Sequence, residues 1–134
     1  MKSRESLIRL KRFQVDEKRR QVTQIETMIA DFERMADELE RQVVGAESRV
    51  GGTDVAHFAY PTCAKAAAQR RDNLKGSVDG LKEQLSGAQS QLSEAFEELK
   101  KVELLEERNQ GRERQVENQR SQSEMDAIGL AMHM

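Results

Sequence analysis

Apolar residues recur at every seventh position through the first third of the chain. With Ile8 at position a of a heptad, all the a sites are apolar: Ile8, Val15, Val22, Ile29, Ala36, Val43 and Val50. The d sites are Lys11, Lys18, Ile25, Phe32, Leu39 and Ala46, so that half of the stripe starts polar and turns apolar. A seven-residue repeat of this kind predicts one long helix with a narrow seam for packing on another helix.

A second repeat has its own register. With Val78 at a, the a sites are Val78, Leu85, Leu92 and Leu99, and the d sites are Leu74, Leu81, Ala88, Ala95 and Val102. Ala64 and Ala67 extend it upstream. Downstream it fails, because Glu106, Asn109, Glu113, Arg120 and Ser123 fall on the seam and only Val116 is apolar. Glycines test the assignment, since each costs a helix interior about 1 kcal/mol relative to alanine. Gly45, Gly76, Gly80, Gly87, Gly111 and Gly129 all fall at c or f, the outer face, so none interrupts the seam.

Between the repeats lies GGTDVAHFAYPTC. Gly51 and Gly52 are suited to end the first helix, because glycine takes the left-handed cap conformation without strain. Pro61 has no N–H and suits the first turn of the second helix. The expectation is an all-α fold, a long antiparallel two-helix coiled coil forming an α-hairpin. It is a single domain over 1–134, with helix one at about 3–50, a turn at 51–61, helix two at about 62–125 and a frayed tail at 126–134. At about 1.5 Å per residue the helices are about 70 Å and about 95 Å long, so the second overhangs the first beyond about residue 106. That is also where its apolar seam stops.

Composition agrees with long helices rather than a broad core. Of 134 residues, 34% are charged and 4% aromatic, with no tryptophan, and straight-chain helix formers predominate. No apolar run is long enough to span a membrane. The first residues, MKSRESLIRLKRF, lack the apolar stretch and cleavage site of a secretory signal. A single cysteine excludes an internal disulfide and suits a reducing, cytoplasmic setting. Net charge is −2, unevenly spread: residues 1–20 hold eight Lys/Arg against three acids, whereas 21–50 and 81–107 each come to −4.

Catalytic chemistry has little to work with. His57 and Cys63 share the HFAYPTC segment, but a zinc site needs three or four ligands and no second pair accompanies them. Cys63 as a nucleophile lacks a positioned base. Neither a phosphate-binding glycine loop nor a nucleophile elbow is present. The expectation is a non-enzyme with no catalytic residue, no metal, no cofactor and no small-molecule substrate. The basic first turns lack interleaved aromatics and run into an acidic block, so nucleic acid is not an expected partner.

Apolar residues off the seam are more informative. Leu7, Leu10 and Phe13 occupy g, c and f, and Leu104 and Leu105 occupy f and g near them in a folded-back chain. Together they form an apolar collar beside Arg4, Arg9, Arg12, Arg19 and Arg20, a candidate surface for a protein partner. Phe58 and Tyr60 are a smaller candidate at the opposite end. Met28 and Met35, both at g, read as packing filler.

The two ends of the chain carry a resemblance. Leu7, Arg9, Lys11, Arg12, Phe13, Val15, Asp16, Glu17, Arg19 and Arg20 make up a pattern that resembles the opening of the FliJ family of flagellar export proteins. The Leu-Glu-x-Arg segment from Leu105 to Arg108 and the late Glu-Met-Asp-Ala-Ile are similar to its C-terminal part. The resemblance implies an antiparallel coiled coil similar to the central stalk of rotary ATP synthases, working in type III export at the flagellar base. It implies three partners: the hexameric export ATPase, the cytosolic domain of the membrane export gate protein, and export chaperones. It also implies a cytoplasmic location, peripheral to the inner membrane. The collar of Leu7, Leu10, Phe13, Leu104 and Leu105, with Arg9 and Arg12, would then face the ATPase, and the side with Phe58 and Tyr60 would face the gate. A generic structural coiled coil or a holdase-type chaperone is the alternative that the heptads alone allow.

Overall fold

The computed structural model describes residues 2–49 and 54–132, with side chains over 3–46 and 62–132. Two helices account for these residues, α1 (Lys2–Arg49) and α2 (Asp54–Met132), packed against each other as an antiparallel hairpin. No strand occurs among the described residues. Val50, expected as a seam residue, Gly51 and Gly52, expected at the helix end and turn, and His133, expected in the tail, lie outside them.

The bounds of the second helix differ from the expected ones. It begins at Asp54, so the backbone of His57–Cys63 is helical, and Pro61 is an interior residue rather than part of the first turn. Proline removes one N–H and crowds the preceding turn, at about 3 kcal/mol, yet it leaves the other hydrogen bonds in place. Strong propagation through Ala64, Ala66, Ala67 and Ala68 lies immediately beyond it. At the other end, residues 126–132 continue the helix instead of fraying. Ala127, Ile128, Leu130 and Ala131 are adequate helix formers, and Gly129 remains at an ordinary helical φ.

The chain divides into two compact units, residues 16–93 and residues 1–15 with 94–134. In the first, Ile29, Val78 and Leu81 form a buried cluster, with Ile25, Phe32 and Leu85 packed against it. Val22, Ala36, Val43 and Ala88 are also buried, and Leu39, Leu74 and Leu92 are half-buried. Lys18 pairs with Gln91, Glu33 with Lys82 and Glu40 with Arg71, so partner numbers fall along α2 as they rise along α1, which sets the antiparallel sense. Every apolar d residue of α1 here is half-buried, whereas its apolar a residues are buried.

In the second unit the seam is shorter. Val15, Ala95 and Leu99 are buried, and Ile8 and Val102 are half-buried. Arg4 pairs with Glu106 at 3.3 Å and Lys11 with Glu98 at 2.9 Å, again antiparallel. Arg4 also reaches Glu113 at 3.8 Å. Beyond that residue every side chain from Arg114 to Ile128 is exposed.

Candidate partner-binding site

The unit of residues 1–15 and 94–134 holds the expected collar. Leu7, Leu10 and Phe13 come from α1 and are 42%, 49% and 53% exposed; Leu104 and Leu105 come from α2 at 51% and 57%. Their helical positions explain this. Ile8 and Val15 of α1, with Ala95, Leu99 and Val102 of α2, occupy the a and d sites and take up the burial, leaving residues at c, f and g facing water. Five large apolar side chains of this unit stand in water, and covering apolar area is favourable by about 25 cal/mol per Å².

The cations of the collar divide into three groups. Arg9 and Arg12 are exposed beside it. Arg4 is engaged across the helix pair with Glu106 and Glu113, so it helps hold α1 on α2. Arg19 and Arg20 belong to the unit of residues 16–93, where Arg19 lies 4.0 Å from Asp16 and Arg20 is exposed. The structure thus brings Leu7, Leu10, Phe13, Leu104, Leu105, Arg9 and Arg12 into one unit and assigns Arg19 and Arg20 to the other. The backbones of Phe58 and Tyr60 are in α2, and their side chains lie outside the described residues, as does that of His57.

Several features were not legible from the heptads. Phe96, at an e site of α2, is 41% exposed, and Lys100 Nζ sits 5.2 Å from its ring centroid, within cation–π range. Met125, Ile128, Leu130 and Met132 end α2 as exposed apolar residues. The available signal was the absence of charge after Asp126. In the unit of residues 16–93 a shallow groove runs over half-buried Leu39 and Leu74, edged by Met35, Ser77, Arg34 and Arg70. Cys63 is an exposed free thiol.

Electrostatically, the described groups form a network of surface pairs rather than a reaction centre. Lys11 donates to Glu98 Oε2 and holds that carboxyl below its usual range, with a smaller pull from Lys101. Glu40 and then Asp72 accept from Arg71 and raise its pKa further. No cluster of three potential metal ligands occurs among the described residues. No described helix is long and apolar enough to cross a membrane.

Comparison with known families decides what kind of helical hairpin this is. The family model described as Flagellar FliJ protein matches residues 1–134, the whole of the sequence. The chain belongs to the FliJ family. No curated protein and no solved structure matches it. Membership makes this chain a component of the flagellar export apparatus, and the family is a structural, non-catalytic one.

Proposed function

We propose that this chain is the stalk and adaptor of the flagellar type III export apparatus. In this reading it binds the hexameric export ATPase through the unit that contains both chain ends. It links that ring to the cytosolic domain of the membrane export gate protein and hands over export chaperones. It works in the cytoplasm, peripheral to the inner membrane at the flagellar base. Leu7, Leu10, Phe13, Leu104 and Leu105 would supply the apolar contact, and Arg9 and Arg12 would supply charge; Phe58 and Tyr60 would lie on the gate side.

The observation that carries this reading is the collar: five large apolar side chains, each more than two-fifths exposed, in a unit whose described seam residues from Arg4 to Val15 and from Ala95 to Val102 are buried or half-buried. Family membership supports the choice of partner. A helical stalk contacting a ring of six like subunits engages some of them more strongly than others at any moment. Differential affinity of that kind is what any coupling between sites requires, and it needs no catalytic residue in the stalk. Hydrolysis stays in the ring.

Mixing the purified chain with the export ATPase tests the proposal. The expected result is a complex and a change in ATPase rate or hexamer formation, both weakened about tenfold by Phe13→Ala, as for a central apolar contact residue. A wild-type chain that neither binds nor alters the ATPase would leave the generic structural coiled coil or holdase reading in its place.

A further inference from the structure

The way α1 is fastened changes along its length. Over residues 16–49 its seam sites are Lys18 and then an apolar series, with Ile29 in the buried cluster. Over residues 2–14 the seam sites are Arg4, Ile8 and Lys11, and Ile8 is only half-buried. The two charged d residues reach acids of α2 instead of apolar partners: Arg4 meets Glu106 and Glu113, and Lys11 meets Glu98. Glu106 itself occupies an a site of α2, with its side chain 12% exposed. A position that would otherwise continue the apolar stripe is thus filled by an ion pair.

We infer that residues 2–14 of α1 form an electrostatic strap, docked on α2 by Arg4 and Lys11, which lifts off when these charges are screened while residues 16–93 stay paired. The asymmetry follows from the different ranges of the two forces. Apolar burial is little affected by simple salt, whereas partly exposed ion pairs weaken as the Debye length falls from about 30 Å at about 0.01 M to about 3 Å at about 1 M. Once lifted, the segment keeps only its helical propensity and loses the packing that supplies most of a helix's stability, so lifting shows as fraying of α1 from its first turn. Release also uncovers Leu99 and Val102 beside the already exposed Leu104 and Leu105, enlarging the apolar surface of that unit. The strap therefore controls how much of that surface is on offer, whatever partner the collar takes.

Amide hydrogen exchange on the full chain, at about 0.01 M and about 1 M sodium chloride, tests this. Protection over residues 5–11 is expected to fall about tenfold at high salt, the combined effect of two or three pairs each worth a few-fold. Protection over residues 25–43 should hold. Arg4→Gln with Lys11→Gln should reproduce the high-salt exchange at low salt. Arg4→Leu with Lys11→Leu, which extends the apolar seam, should restore protection and remove its salt dependence. Salt-independent exchange over residues 5–11 in the wild type would overturn the inference. So would a fall of equal size over residues 25–43, or a glutamine pair that leaves exchange unchanged.

Discussion

Arg71 occupies an a site of α2, and its guanidinium Nη1 lies 2.5 Å from Glu40 Oε2 of α1. The seam expects an aliphatic residue there. Instead its side chain, 21% exposed, keeps its stem at the interface while its head bonds Glu40 and Asp72. A charged residue at a single seam site sets register, because any shift of one helix along the other leaves the cation without its partner. Arg71→Leu is expected to raise the melting temperature, since it restores the apolar stripe. A double-mutant cycle of Arg71→Gln and Glu40→Gln should show favourable coupling that disappears at high salt. Thermal denaturation of the wild type and the four variants, at low and high salt, measures both effects.

Seam and collar should respond differently to truncation. Ile29→Ala removes a buried side chain from the cluster with Val78 and Leu81 and is expected to cost about 3 kcal/mol. Leu85→Asp places a carboxylate against the same cluster and should unfold the hairpin. Phe13→Ala, at a side chain 53% exposed, should cost no more than about 0.5 kcal/mol. Chemical denaturation followed by circular dichroism separates these effects. Equal losses for Phe13→Ala and Ile29→Ala would show that Phe13 belongs to the core.

Two glycines of the second helix weaken it without serving a packing need. A Cβ built on Gly80 or on Gly87 meets nothing within 4 Å, and neither has a positive φ. Gly80→Ala and Gly87→Ala should therefore each stabilise the protein by about 1 kcal/mol, mainly by restricting the unfolded chain. The pair, being well separated along α2, should add. Denaturant midpoints measure it.

The Lys11–Glu98 pair makes stability depend on pH in a defined direction. Glu98 is held below the usual carboxylate range, so the folded state releases its proton more readily than the unfolded state does. The resulting stabilisation is fully present above the unfolded carboxylate pKa and is lost as pH falls through the lowered folded value. A side-chain carboxyl titration by NMR should place the Glu98 midpoint below that of an ordinary glutamate. Lys11→Gln should move it upward, leaving only the smaller influence of Lys101. A midpoint unmoved by Lys11→Gln would mean that the contact does not persist in solution.

The packing face of each helix was readable from spacing alone. Val15, Val22, Ile29, Ala36 and Val43 are buried because a seven-residue period keeps them on one side of any α-helix, whatever lies opposite. The exposed collar was readable for the same reason, as the set of apolar residues the period leaves out. Helix ends were less legible. Pro61 and the paired glycines are strong local punctuation, yet where α2 starts depends on the sum of weak propensities over the whole segment, and it starts at Asp54. Folding the chain back at its glycines already set Leu104 and Leu105 near Leu7 and Phe13; what tertiary structure alone decided is which side chains pair across the two helices. Glu106 looks like a failed seam residue until Arg4 is placed beside it, and Arg71 looks like an interruption until Glu40 reaches it. Periodicity records the face of one helix, whereas a cross-helix pair depends on the stagger between two, a quantity settled only when both surfaces pack.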